Sequence, residues 1–168
     1  MNTTTHTHDH SPSPNPRSKA RSSFRGESRP AERREAGPPT VIIFSKDRDT
    51  RLLYRTMVEM WGYEAKELSE MSELLESSAT DSPCVLLFDT ILPFADNLTT
   101  VHRLRQSIGH AEMPIVVVSG FSQPQYRSVV LTLGADEFLV KPVDFDTLEV
   151  VLRKSAQLMV SGAGSGGG

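Results

Sequence analysis

"VLLFDTILPFADN", residues 85–97, runs from a block of apolar side chains into one aspartate, Asp89, and then breaks at Pro93. A short apolar run without alternating polar positions is typical of a strand buried on both faces, as in the centre of a parallel sheet. Parallel-sheet folds bind ligands at the carboxyl ends of their strands. The segment therefore predicts a central strand that ends on a candidate functional group.

Four other segments are predicted to be strands of the same sheet. Three of them, residues 40–45, 114–119 and 137–140, are short apolar runs like the one at residues 84–88. Residues 63–67 are only half apolar, which predicts a strand near an edge of the sheet.

Apolar residues recur at helical spacing between these strands, with one stripe in each intervening segment. Gly62 and Gly134 are predicted to follow the first and fourth helices, and Ser69 and Asp144 to cap the second and fifth. This alternation predicts the α/β class: a doubly wound, five-stranded parallel sheet of the flavodoxin-like (βα)5 type. The predicted stripes are Leu53, Met57, Met60 and Trp61; Met71, Leu74 and Leu75; Val101, Leu104 and Ile108; Val129, Val130 and Leu133; and Leu148, Val151 and Leu152.

Composition divides the chain into three parts. Residues 1–39 are rich in Ser, Pro and Arg and contain almost no large aliphatic side chains, so we expect a disordered tail. Residues 40–159 are expected to form one folded domain, and residues 160–168 a flexible Gly/Ser tail. No apolar run approaches the ~20 residues of a membrane-spanning helix, and the lone Cys84 cannot form an internal disulfide. We expect a cytoplasmic protein without membrane contact.

The formal net charge of −3 is unevenly distributed, with a basic tail before an acidic body. A basic tail makes nucleic-acid binding a minority interpretation. Phe24 is the only aromatic residue in it, so base stacking has little support and nucleic-acid binding is not expected.

Polar side chains stand at the ends of three predicted strands. Asp89 ends the third strand, Ser119 ends the fourth, and Lys141 follows the fifth. Because the carboxyl ends of parallel strands share one edge of the sheet, we expect these three groups to converge there.

This constellation resembles the receiver domain of bacterial two-component response regulators over about residues 40–155. "FDTILPFADN" is similar to the family's phosphoacceptor segment, with Asn97 in place of the usual glycine. "VVVSG" and "FLVKP" are similar to the segments that carry the family's responsive hydroxyl, aromatic switch, lysine and commonly cis proline bond. The resemblance implies the following roles: Asp89 as phosphoacceptor, with Pro93 and Asp96 in its segment; Ser119 and Lys141 as phosphoryl contacts; Phe138 as the switch; and Pro142 as the cis proline.

The family's magnesium site is the part that this sequence does not reproduce. In the family, Mg²⁺ is held by the phosphoacceptor and an acidic pair after the first strand, and "VIIFSKDRDTR" aligns Ser45 and Lys46 with that pair. Asp47 comes one position later, so a shift of register would leave Asp47 and Asp89 as metal ligands. We expect Mg²⁺ binding, and phosphorylation that depends on it, to be weak or absent.

Two of these side chains have alternative placements. Lys46 beside Asp89 would neutralise the carboxylate without a metal, whereas Lys46 in solvent would leave Asp89 without its metal. Ser119 is either a phosphoryl contact or a strand-end hydroxyl bonded to the backbone.

The resemblance implies a single-domain atypical response regulator, or pseudo-receiver, in phosphorelay signal transduction. Such a protein regulates a partner by contact and is not an enzyme. The expected partner is a histidine kinase or another signalling protein. The face formed by the fourth helix, fifth strand and fifth helix is expected to dock it or to form a homodimer.

The main alternative is a receiver that still accepts a phosphoryl group from a histidine kinase. An enzyme of the haloacid-dehalogenase phosphatase type is disfavoured, because Ile91 stands where those enzymes need a second aspartate.

Overall fold

The computed structural model describes residues 38–77, 84–90, 94–107 and 112–162. The predicted tail over residues 1–39 lies outside the described residues except at its last two positions, and so does most of the predicted tail over residues 160–168. Among the described helices, none is long and apolar enough to cross a membrane.

The described residues form five strands in the order β2-β1-β3-β4-β5, and every neighbouring pair is parallel. This confirms the predicted fold and the edge position of the half-apolar strand. Helix α5 continues past the predicted domain end at residue 159, because Met159 is a strong helix former and the breaker Gly162 comes only later. The elements are β1 Thr40–Phe44, α1 Arg48–Met60, β2 Glu64–Leu68, α2 Met71–Glu76, β3 Cys84–Thr90, α3 Phe94–Gln106, β4 Ile115–Ser119, α4 Pro124–Thr132, β5 Glu137–Val140 and α5 Phe145–Gly162.

The core lies in two layers, one on each face of the sheet, because successive strand residues point to opposite faces. Helices α2, α3 and α4 cover one face, and α1 and α5 cover the other. Strands β1 and β4 are buried along their whole lengths, as expected for a sheet covered on both sides. The first layer includes Phe44, Leu86, Leu104 and Phe138, and the second includes Ile43, Val58, Leu87 and Leu152.

The buried face of α1 differs from the predicted stripe. Tyr54, Met57 and Val58 face the sheet, whereas Leu53 and Met60 are 47% and 73% exposed. Both sets have helical spacing, so periodicity alone could not choose between them. Tyr54 is the residue that the predicted stripe missed, and its burial brings a hydroxyl close to the site described below.

Three of the four residues predicted to begin or end helices do so, and one does not. Gly62 and Gly134 adopt positive φ angles after α1 and α4, and Asp144 accepts a backbone hydrogen bond in the first turn of α5. Helix α2 is capped by Glu70 rather than by Ser69, because the carboxylate of Glu70 takes part in a capping box.

One arginine connects α3 to the segments just before β4 and β5. The Arg105 guanidinium donates to the carbonyl oxygens of Gly134 and Met113, and pairs with Asp136 at 2.6 Å. Asp136 also accepts from the backbone N–H of Ile115 at 2.7 Å. The side chain of Arg105 therefore links α3, β4 and the turn before β5.

Replacing Arg105 by Ala should lower the free energy of unfolding by about 2–3 kcal/mol, because several acceptors lose a charged donor. The matched control is Arg103→Ala, an exposed position on the same helix, which should change stability by less than about 0.5 kcal/mol. Urea unfolding measures both effects. Equal midpoints for the two variants would contradict this role of Arg105.

Candidate functional site

The carboxyl ends of four strands meet at one rim of the sheet. Asp89 is the penultimate residue of β3, and Ser119 ends β4. Ser45 directly follows β1, and Lys141 directly follows β5. The structure thus brings together Asp89, Ser119 and Lys141 as the sequence predicted, and adds Ser45 as a direct neighbour of Asp89.

The Asp89 carboxylate is buried, with only 3% of the residue exposed. Its Oδ2 accepts a hydrogen bond from the Ser45 hydroxyl at 2.8 Å. Its Oδ1 receives no hydrogen bond from the described residues and has the Lys141 ammonium as its ionic partner. Both oxygens are therefore held by groups of the protein itself.

The direction of the Ser45 hydrogen bond follows from the number of its protons. The Ser45 oxygen accepts the backbone N–H of Asp47 at 3.1 Å, and the hydroxyl carries a single proton. That proton is donated to Asp89. Ser45 thus places a donor where the family has a carboxylate.

Lys46 adopts the second of its two predicted placements. Its ammonium lies 3.0 Å from the Glu70 carboxylate, and both side chains are largely in solvent, 44% and 62% exposed. The Ser45 side chain turns towards Asp89, whereas Lys46 lies in a bend after β1 and its side chain extends to Glu70. The idea that Lys46 neutralises Asp89 is therefore wrong, and Lys141 is the cation that pairs with Asp89.

Asp47 caps helix α1. Its carboxylate accepts the backbone N–H of Thr50 at 2.7 Å. The hydrogen bonds to Thr50, together with the smaller effect of the nearby Arg51 and Lys141 charges, hold the pKa of Asp47 below its usual value. Asp47, the second metal ligand that a shifted register predicts, therefore already has a structural role.

The described residues at the rim do not form a fitting site for a magnesium ion. Mg²⁺ prefers oxygen ligands, usually carboxylates and waters, yet the acidic-pair positions hold a hydroxyl and an ammonium. No group of three or more His, Cys, Asp or Glu residues within the described part of the chain could hold a metal. The Asp89 oxygens are instead engaged by Ser45 and Lys141.

Ser119 and Phe138 complete the predicted set. The Ser119 hydroxyl is fully buried and accepts a hydrogen bond from the backbone N–H of Phe121 at 3.2 Å. This matches the second predicted alternative, a strand-end hydroxyl bonded to the backbone. The Phe138 ring is buried and packs edge-on against Tyr126, with a centroid distance of 5.5 Å. The Lys141-Pro142 peptide bond is cis, as the family resemblance implied.

Tyr54 is a neighbour of the site that the sequence interpretation missed. Burial, and to a smaller extent the charge of Asp89, raises the pKa of Tyr54, so its hydroxyl keeps its proton at neutral pH. Tyr54 also lines a cleft of about 530 Å³ beside Lys141. Leu53, Pro142 and Phe145 add apolar walls to the cleft.

Comparisons with known proteins agree with this geometry. The family model of the response regulator receiver domain matches residues 41–153. The transcriptional regulatory protein SrrA of Staphylococcus aureus is 31% identical over 118 residues, which cover 70% of this chain and 46% of SrrA. The chain belongs to the response regulator receiver domain family of two-component signalling. It spans about half the length of the curated relatives that it matches.

Solved structures share the fold at low sequence identity. The chemotaxis protein CheY4 of Vibrio cholerae is 20% identical with a TM-score of 0.62, covering 71% of this chain and 99% of CheY4. The receiver domain of the sensor histidine kinase PA1611 of Pseudomonas aeruginosa is 16% identical with a TM-score of 0.62, covering 72% and 99%. That domain was crystallised with a magnesium ion coordinated in its active site cleft.

Removing the ammonium from Lys141 should leave a buried charge on Asp89 without its cation. We expect Lys141→Gln to lower the free energy of unfolding by about 3 kcal/mol, and Asp89→Asn added to it to recover most of that loss. Urea unfolding of the two single variants and the double variant measures the coupling.

The matched control is Lys154→Gln, which removes an exposed pair with Glu137 and should cost less than about 1 kcal/mol. Strictly additive effects of Lys141→Gln and Asp89→Asn would show that the two side chains are not coupled.

Proposed function

We propose that this chain acts as an atypical receiver in phosphorelay signal transduction, with phosphorylation at Asp89 that is weak or absent when driven by Mg²⁺. The observation that carries the proposal is the state of the Asp89 carboxylate. One oxygen is hydrogen-bonded by Ser45 and the other is paired with Lys141. Attack on phosphorus would require one Asp89 oxygen to lose its partner, and the described residues at the rim offer no dedicated metal site to balance the added charge.

The output of such a domain is contact with another signalling protein. The proposed docking surface is the face of α4, β5 and α5, where the apolar side chains of Val129 and Val140 are 37% and 39% exposed. The Lys154 and Glu137 side chains form an ion pair across β5 and α5 on the same face. We propose a histidine kinase or another signalling protein as the partner, and a homodimer through this face as the alternative assembly.

We also propose that the chain itself catalyses no reaction and that it is located in the cytoplasm. The groups that converge at the rim are a carboxylate, two hydroxyls and an ammonium, which suit a phosphoryl acceptor better than a hydrolase. A hydrolase would need a positioned acid or base beside the nucleophile. Asp47, the carboxylate nearest in sequence to Ser45, is engaged in capping α1.

A receiver that still accepts a phosphoryl group from a histidine kinase is the second candidate. Asp89, Ser119 and Lys141 all occupy the strand ends at which the family places its acceptor, hydroxyl and lysine. This candidate requires that one Asp89 oxygen be released from Ser45 or from Lys141 when a phosphodonor arrives.

Intact-mass analysis after incubation with a small phosphodonor and Mg²⁺ separates the two candidates. We expect no added phosphoryl mass on the purified chain under conditions in which a conventional receiver reacts fully. Asp89→Ala serves as the site control. Added mass that disappears in Asp89→Ala would refute the atypical function and support the phosphorylatable receiver.

A further inference from the structure

The Ser45 hydroxyl can reach Asp89 only while the backbone of Ser45 is held in place. Its N–H donates to the carbonyl of Leu68 at 3.3 Å, a long bond just past the end of β1. Its carbonyl oxygen accepts a much shorter hydrogen bond, at 2.7 Å, from Nη1 of Arg51. The arginine therefore makes the closer contact with this residue.

Arg51 reaches Ser45 from the first helix and is itself anchored. Its side chain is only 15% exposed, and its Nε lies 3.9 Å from the Glu67 carboxylate on β2. A guanidinium that is largely removed from water forms stronger hydrogen bonds than one in solvent. Successive contacts therefore connect Glu67 to Arg51, Arg51 to Ser45, and Ser45 to Asp89.

We propose that Arg51 is a positioning residue for Asp89. By holding the Ser45 carbonyl, it keeps the Ser45 hydroxyl on Oδ2 of Asp89 and closes that oxygen to an incoming cation or phosphoryl group. The inference rests on the proposed function, because it takes the Ser45 hydrogen bond to be what restrains Asp89. It adds that this restraint depends on Arg51, a residue of helix α1.

The neighbouring arginine provides a matched control. Arg55 lies one helical turn further along α1 and contacts the same Glu67 carboxylate at 3.1 Å. Its other partner is Glu59 at 2.9 Å, and its side chain is 50% exposed. Arg55 thus shares the charge and the anchor of Arg51 but not the bond to Ser45.

The test compares Arg51→Gln, Arg55→Gln, Ser45→Ala and the double variant Ser45→Ala/Arg51→Gln by NMR, without Mg²⁺ or phosphodonor. Two signals are followed: the ¹³C shift of the Asp89 carboxyl carbon, and the exchange rate of the Asp47 amide that donates to Ser45. Arg51→Gln should move the Asp89 signal towards its Ser45→Ala position and speed Asp47 exchange about tenfold. Arg55→Gln should change neither signal.

In the Ser45→Ala background, the Arg51 substitution should not move the Asp89 signal further, because the hydroxyl through which Arg51 acts is gone. An unchanged Asp89 signal in Arg51→Gln, or an additional shift in the double variant, would overturn the proposal. Arg51→Lys, which keeps the cation, decides the question if Arg51→Gln does not fold. It should give a smaller shift in the same direction, and no shift would count against the proposal.

These readouts are independent of phosphorylation. If the chain takes up a phosphoryl group but the double-mutant cycle of Ser45→Ala and Arg51→Gln gives the expected shifts, the proposed function fails and the positioning role of Arg51 stands. If the chain takes up none and Arg51→Gln leaves Asp89 unchanged, the reverse holds.

Discussion

Burial of a carboxylate at the end of a central strand is the constraint on which the rim of this domain depends. A charge as enclosed as that of Asp89 is costly unless nearby groups compensate it. Because β3 lies between β1 and β4 in the sheet, the compensating groups must come from the ends of nearby strands. Ser45 after β1 and Lys141 after β5 are the two that do so.

The choice of those groups determines the chemistry that remains possible. Two carboxylates after β1 would add negative charge beside Asp89 and create a demand for a divalent cation. A hydroxyl that donates to Asp89 does the opposite, because it satisfies the carboxylate with a neutral group and needs no ion. Lys46, at the second position of the pair, leaves the site altogether and binds Glu70. Both oxygens of Asp89 thereby have a partner among the described side chains of the protein.

The fold could be predicted from the sequence because buried parallel strands leave a strong local signal. The apolar runs predicted at residues 40–45 and 137–140 correspond to β1 and β5, and the half-apolar run corresponds to the edge strand β2. The phase of α1 could not be predicted in the same way, because Leu53 and Tyr54 both belong to plausible apolar faces. Only the packing against the sheet selects Tyr54.

The candidate site was predicted in part for a similar reason. Residues at strand ends, such as Asp89 and Lys141, are placed by the topology, so their convergence follows from their positions in the sequence. The role of Arg51 could not be predicted from the sequence, because it depends on a helix side chain that reaches the carbonyl of Ser45. One of the two predicted placements of Lys46, beside Asp89, is wrong, because a sequence gives the position of a residue but not the direction of its side chain.

Asp89 takes its partners from the protein itself, and we propose that it binds no divalent ion. The most direct test is a Mg²⁺ titration of the unmodified chain, followed through the backbone amide signals of Ser45, Asp89 and Thr90 by NMR. We expect no saturable shift of these signals at millimolar Mg²⁺, with Ca²⁺ as a second probe giving the same result. A saturable shift confined to these residues, abolished by Asp89→Asn, would contradict it.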